Sequence, residues 1–453
     1  MKNIILTLTV VLISVTSLNA APKANSEYVI VVSRAAQNDV RWKPVITALQ
    51  KKNGKLKPSV VTYDSNVAET KNALQSCMPK YVCFVAKPED AGHDFIVSVH
   101  HLTRGLDDDP YPDVIWGVIT GYTPNAALEL AKFNKPFVVK RAASGTSSFN
   151  LDRFDEGILW NEGKKGEIMI KKKGKPAYSE SGTDDPTESI IKMFNEFAPD
   201  LWFTSGHATE DNWMIGYNYK AGFLEHKNGV IVGHAANGKY FTANSPNPKV
   251  YIAAGNCLMG HVNRVDCMAT SFMNSCGVKQ MIGYTVESWF GYGGWGVGSY
   301  FFGQSDRFTL AEANFANQAA LNWRLSKIQS SSEKNKRDEK GLLYDRDVIA
   351  FYGDPALEIR TTSSPKSTYS QKLATNNEDG KTILTLTLTD SRGKESWNSD
   401  RPAVQLLPKR IQNFQVLEGE NFNPVVTDNF ILVPMPTNKE ETKTIKIVIR
   451  AEQ

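Results

Sequence analysis

The chain has 453 residues, 41% of them hydrophobic and 22% charged, with a formal net charge of +4 and a pI near 8.5. That length allows two or three domains with a large core, and that composition excludes a mostly disordered chain. So mild a charge, with no run of basic residues interleaved with aromatics, gives no footing for a nucleic-acid partner.

The first twenty residues, MKNIILTLTVVLISVTSLNA, read as a secretory signal. Lys2 supplies the positive start, Ile4 to Leu18 the apolar stretch, and Ala20 or Ala21 the cleavage site. The run is too short and too poorly flanked for a membrane span. No Cys stands near the cleavage site to carry a lipid, and no later apolar run has spanning length. The expected product is an exported bacterial protein, secreted, periplasmic or at the cell surface, with no transmembrane segment.

After the signal, EYVIVVSR (27–34) predicts a strand, followed by a helical pattern through Leu49. PSVVTYD (58–64) predicts a second strand, with a helix from about Val67 to Leu74, and KYVCFVA (80–86) a third. FIVSVH (95–100) suggests a fourth, which would turn His100 and His101 to opposite faces and make them a poor chelate. DVIWGVIT (113–120) is another, ahead of a helix from Pro124 to Phe133 capped by Thr123. Residues 150–186 break the rhythm and read as an exposed hairpin or loop insertion, with the lysine-rich KKGEIMIKKKGK (164–175) as its solvated edge. The alternation resumes with a helix over 186–198, capped by Asp184 or Asp185. It continues with strands at 201–205 and 250–254, a helix from Val265 to Met273, and a strand at 279–285. FGYGGWGVGSYFFG (290–303) lacks phosphate-loop spacing. A long helix over 309–328, a polar loop over 330–341 and VIAFYGDPALEI (348–359) follow.

Strands alternating with helices predict an α/β fold, a mostly parallel sheet with helices on both faces. We divide it into an N-terminal subdomain (21–150) and a second one (151–360). TTSSPKST (361–368) reads as a linker. TILTLTLTD, NFILVPM and TIKIVIR then alternate with period two, which predicts a small all-β sandwich of immunoglobulin-like size over 361–453.

Two stretches carry chemistry. LWFTSGHATEDNW (201–213) and KVYIAAGNCLMGHV (249–262) each run an apolar strand into small residues and then a reactive side chain, His207 and Cys257. Ligands of a parallel α/β sheet bind outside the carboxyl ends of its strands. If the two strands are neighbours, a thiol and an imidazole able to activate it share one edge. Gly206 and Gly255 let backbone approach a substrate. Five cysteines, at 77, 83, 257, 267 and 276, leave at least one free thiol. If Cys257 is that thiol, the other four allow three pairings. No pair has zinc-site spacing, and the seven His form no ligand pattern.

LWFTSGHA and VYIAAGNC resemble the strand-His and strand-Cys blocks of caspase-like cysteine peptidases, and more closely those of the gingipain family. Caspases place the His about fifty residues before the Cys, and here fifty positions separate 207 from 257. Three further stretches share the resemblance: PDVIWGVITGYTPNAALELAKF (112–133), KQMIGYTVESWFG (279–291) and FYGDPALEI (351–359). Together they span most of residues 27–360, ahead of the sandwich. The resemblance implies a caspase-like fold and an endopeptidase acting on protein or peptide substrates without a cofactor. In it Cys257 is the nucleophile and His207 the base. The backbone of Ala208 and Cys257 forms the oxyanion hole, and Trp289 a wall of the substrate pocket. Two positions depart from the family: Ala208 replaces a Gly after the His, and Val118 replaces an Arg.

DDDPYPD (107–113) is a strong turn sequence and reads first as a solvated turn. The resemblance implies pocket residues in this region. Asp109 there would favour a basic residue before the cleaved bond by charge pairing. A structural calcium is implied by the family alone and has no loop motif here. The rival reading is a non-catalytic surface or secreted binding protein that keeps the peptidase fold, with Ala208 as its best support.

Overall fold

The computed structural model describes residues 22–329, 331–362, 369–390, 401–436 and 441–452. The signal segment (1–20) and most of the 361–368 linker lie outside the described residues.

Twelve strands form one sheet. From one edge, the first six are Ser59–Tyr63, Tyr28–Ser33, Tyr81–Val85, Ile115–Ile119, Ile349–Tyr352 and Val278–Tyr284. The other six are Lys249–Asn256, Leu201–Gly206, Arg141–Ser144, Glu156–Trp160, Glu167–Lys171 and Tyr178–Ser181. The first five are mutually parallel. Val278–Tyr284 runs antiparallel to Ile349–Tyr352, and the strands from there to Glu156–Trp160 are again parallel to one another. The sheet is thus two parallel blocks of opposite direction joined at one antiparallel seam, with a two-strand antiparallel hairpin at the far edge. Continuous apolar runs dictate this. Val29–Val32, Val82–Phe84, Leu201–Phe203 and Val250–Ala254 are fully buried, as strands covered on both faces must be. The mostly parallel α/β expectation therefore holds. The division near residue 150 does not follow the seam, since Arg141–Ser144 belongs to the second block.

Several local expectations are corrected. FIVSVH lies within a helix, His93–Thr103. Its buried residues Ile96, Val99, His100 and Thr103 recur at helical spacing, which its β-branched composition obscures. His100 is buried with Nε2 2.8 Å from the Ile349 carbonyl, and burial pushes its pKa down to about 4. The glycine-rich 290–303 segment forms a helix, Tyr292–Phe301. Its glycines serve contact: a Cβ on Gly294 would lie 2.2 Å from the Ala254 carbonyl oxygen, so the helix backbone rests directly on the cysteine strand. The polar stretch 330–341 is largely helix, Glu333–Asp345, started by Ser332, whose Oγ accepts from the Asn335 N–H at 3.2 Å. Residues 150–186 supply three strands that extend the main sheet, with the lysine-rich hairpin at its edge. An unforeseen antiparallel sheet, made of Asn212–Met214, Phe223–Lys227, Val230–His234 and Tyr240–Thr242, lies between the two motif strands in sequence.

After Tyr369 two antiparallel sheets, of four and three strands, face each other across Leu384, Leu386, Ile431, Val433, Ile445 and Ile447. This is the expected sandwich. It is docked on the α/β region: Val404, Phe430 and Leu432 join the main core. The buried Arg401 donates to Asn317 Oδ1 at 2.7 Å and lies 3.8 Å from the Tyr292 ring centroid. Among the described residues no helix is long and apolar enough to cross a membrane.

Candidate active site

Leu201–Gly206 and Lys249–Asn256 are adjacent parallel strands. Thr204 pairs with Ala253, and then the register shifts, so that Ser205 pairs with Gly255 and Gly206 with Asn256. Ala254 is the extra residue of this bulge, a device that re-aims side chains near functional sites. The next residues are His207 and Cys257, which follow the carboxyl ends of these neighbouring strands, themselves about 5 Å apart across the sheet.

The ground beneath them is a buried polar network. Thr204 donates its hydroxyl to Asn256 Oδ1 at 2.5 Å, and Asn256 Nδ2 donates to the Gly206 carbonyl at 3.2 Å. The Tyr251 hydroxyl lies 2.9 Å from Thr204 Oγ1. Asn256 thus ties together the two strand ends that carry the reactive groups. Backbone strain sits on both sides: Gly206 leaves its strand at φ 99°, open to glycine alone at little cost, and Leu258 takes φ 57°. For leucine that left-handed conformation costs about 1–3 kcal/mol and is held only where surrounding bonds fix it. One such bond runs from the Leu258 N–H to the Val286 carbonyl at 2.9 Å.

The Cys257 thiol is half-buried and unpaired, as are the other four cysteines in having no disulfide. Its sulfur accepts from the Ser288 N–H at 3.2 Å. Trp289 follows, 47% exposed, with Tyr344 packed edge-on at 6.1 Å between ring centroids. Tyr344 donates its hydroxyl to the Glu287 carbonyl at 2.9 Å. Its phenol pKa is raised by burial first, then by the charges of Glu287, Asp345 and Cys257. The His207 ring lies flat on Tyr217, with centroids 4.9 Å apart and planes 15° apart. Its carbonyl accepts from the Met214 N–H at 2.9 Å. No hydrogen bond joins the imidazole to the thiol or to an orienting carboxylate among the described residues.

Ala208 is buried and forms an isolated antiparallel bridge with Trp213. Thr209 donates to Asn212 and Met214 to His207 around it. The Ala208 N–H makes no backbone hydrogen bond among those of the described loops and turns. Ala208 is absent from the positive-φ residues, so its methyl carries no backbone strain. Val118 is fully buried in its strand.

The structure does not bring Asp109 to this pair. Ile115–Ile119 lies three strands from Lys249–Asn256, about 14 Å across the sheet. The turn before it faces the sandwich. Asp109 accepts from the Tyr111 N–H at 2.7 Å, and Arg410 of the sandwich bonds the Asp113 carbonyl. Burial raises Asp109 to about 6 and Asp113 to about 8, with Asp107 adding to both. The 107–113 segment is a turn, as its composition predicts, but partly buried at a domain seam.

Beyond His207, Arg264 pairs with Glu210 at 3.8 Å and with Asp211. His226 bridges Asp211 and Asp266 at 3.0 Å each. These pairs clamp the loops after both reactive residues. No group of three or more His, Cys, Asp or Glu among the described residues could hold a metal ion. Asn256, Ser288, Tyr217 and Tyr344 went unremarked in the sequence. Only Asn256, adjacent to Cys257, stood where a local pattern could have flagged it.

No protein-family model matches the chain, and neither curated proteins nor solved structures yielded a match.

Proposed function

We propose that this chain is an exported cysteine endopeptidase of the caspase-like, gingipain-like kind. One observation carries the reading: His207 and Cys257 each directly follow the last paired residues, Gly206 and Asn256, at the carboxyl ends of adjacent parallel strands. The Ala208 amide, with no backbone partner among those of the described loops and turns, supports it. In the proposed reaction His207 turns off Tyr217 and takes the thiol proton. Apo geometry of this sort often tightens only in the substrate complex. The thiolate attacks the peptide carbonyl, and the C–N bond breaks as the imidazolium protonates the leaving amine. The oxyanion formed on the way sits between the amides of Ala208 and Cys257, a stabilisation of about 3–4 kcal/mol for a well-placed donor. Water, deprotonated by His207, then releases the acid and the free thiol.

A second reading, a binding protein on the same fold, draws on the parked imidazole and the missing orienting carboxylate. Iodoacetamide labelling at neutral pH, mapped by mass spectrometry, separates the two. The peptidase reading expects fast labelling of Cys257 that drops in His207→Ala and is absent in Cys257→Ala. Slow labelling, equal with and without His207, favours the binding protein.

A further inference from the structure

This inference rests on the peptidase reading and concerns what holds that site at rest. The two reactive groups are each engaged elsewhere. The Cys257 sulfur accepts from the Ser288 N–H at 3.2 Å and lies 4.0 Å from the Ser288 carbonyl oxygen. The His207 side is exposed, and its imidazole makes no hydrogen bond among the described residues. What touches the ring there is Tyr217, stacked on it with centroids 4.9 Å and planes 15° apart.

Both backbones under this stack are fixed. The Tyr217 N–H donates to the Glu162 carbonyl at 2.7 Å, and the Asn218 N–H reaches the same oxygen at 3.4 Å. The Glu162 carboxylate in turn accepts from Thr146 Oγ1 at 3.0 Å and from the Ser147 N–H at 2.6 Å. The loop that carries Tyr217 thus hangs on the turn between Glu156–Trp160 and Glu167–Lys171, and through it on the loop after Arg141–Ser144, the strand beside the histidine strand. On the other side the Met214 N–H holds the His207 carbonyl at 2.9 Å. The part free to move is therefore the imidazole. Exposed side chains change rotamer in picoseconds to nanoseconds, so the stack is an equilibrium and not a slow gate. An aromatic contact favours its closed state about twofold to tenfold. A site that is competent for only part of the time reacts more slowly by that fraction.

We propose that Tyr217 is a positioning residue, an autoinhibitory latch that holds the His207 ring away from Cys257 in the free protein. The thiol keeps its proton while the imidazole is stacked. When the ring leaves Tyr217 the proton passes from sulfur to imidazole, and the thiolate and imidazolium form together. The latch has a chemical use in an exported chain. The thiolate is the form that oxidants attack, and a stacked imidazole keeps its population low until a substrate draws the ring across.

The test times iodoacetamide alkylation of Cys257 at neutral pH in the full mature chain, with the adduct mapped by mass spectrometry. Wild type, Tyr217→Ala and Tyr217→Phe are each measured with His207 in place and with His207→Ala. Tyr217 is 56% exposed, so its truncation opens no hole in the core. With His207 present, Tyr217→Ala should speed alkylation about twofold to tenfold, the range of the lost stack. In the His207→Ala background the same change should leave the rate as it was. Tyr217→Phe keeps the stacked ring and should restore the slow rate. Equal speeding with and without His207 would show that Tyr217 merely shields the sulfur, and overturns the proposal. So does a Tyr217→Ala rate that stays level or falls, or a Phe variant as fast as the Ala one. In each of those cases the peptidase reading stands as long as His207→Ala slows the wild-type rate. If loss of His207 changes nothing, with Tyr217 either present or absent, the peptidase reading fails and takes the proposal with it.

Discussion

The Thr204–Asn256 pair offers a sharp test of how the site is held. Asn256 is fully buried and makes two neutral hydrogen bonds, one from Thr204 and one to Gly206. Each such bond is worth about 1 kcal/mol, so Asn256→Ala should cost about 2–3 kcal/mol once the lost packing is added. Thr204→Val keeps the shape but strips the hydroxyl that serves both Asn256 and Tyr251. Leaving those groups unpaired in the interior should cost about 2 kcal/mol. The two changes share one bond, so the double variant should lose about 1 kcal/mol less than the sum, as expected of residues in one network. Urea unfolding followed by tryptophan fluorescence measures all three, with an unchanged m value as the control that the end states are comparable. Additivity within about 0.3 kcal/mol would refute the network, since that is the behaviour of independent sites.

Three other outcomes are expected. Gly294→Ala gains about 1 kcal/mol of helix propensity but drives a methyl to 2.2 Å from the Ala254 oxygen. Because overpacking of this kind costs about 1–3 kcal/mol, the thermal midpoint should fall; a rise would mean the helix does not rest on the cysteine strand. Burial holds the Asp113 pKa up at about 8 in the folded state, against about 3.9 unfolded. The folded protein therefore binds the extra proton, and stability declines as pH rises from about 4 to about 8. His100, depressed to about 4 by burial, works in the opposite sense, its contribution being lost as pH falls below about 6.5. The difference between wild type and Asp113→Asn isolates the carboxyl: the variant should gain relative stability across pH 5 to 8, and parallel curves would contradict this. Arg401→Ala removes a hydrogen bond to Asn317 and a stacked contact on Tyr292, together about 2–4 kcal/mol. Calorimetry should show the melting profile shifted down or the sandwich separating as its own transition. An unchanged profile would show that the seam is held elsewhere.

The strands of the main sheet were legible because strands covered on both faces must be apolar throughout, and runs such as VIVV, YVCFV and VYIAA leave little choice. That His207 and Cys257 follow two such strands was legible for the same reason, each ending an apolar run. What escaped was set by tertiary contact. Helix Tyr292–Phe301 has poor intrinsic propensity and exists because its glycines let it sit on the cysteine strand. Glu333–Asp345 hides one buried face, Gly341, Leu342 and Asp345, within a strongly charged stretch. Asp109 looked free for a pocket because composition says nothing of a second domain arriving to cover a turn. Tyr217 and Tyr344 reach the site from an unforeseen β-rich insertion and an unforeseen helix.

The antiparallel seam has a consequence for how the protein is made. Residues 115–119 and 278–284 present two inner strands, and the piece that joins them is the four-residue strand 349–352. A nascent chain lacking that piece holds two half-sheets, each with a bare, apolar edge. Such edges recruit other chains, and pairings that close so long a loop form slowly. Completion of the sheet therefore waits on nearly the last part of the α/β region to leave the ribosome. A fragment stopped before residue 349 should accumulate as aggregate, even though it contains both His207 and Cys257.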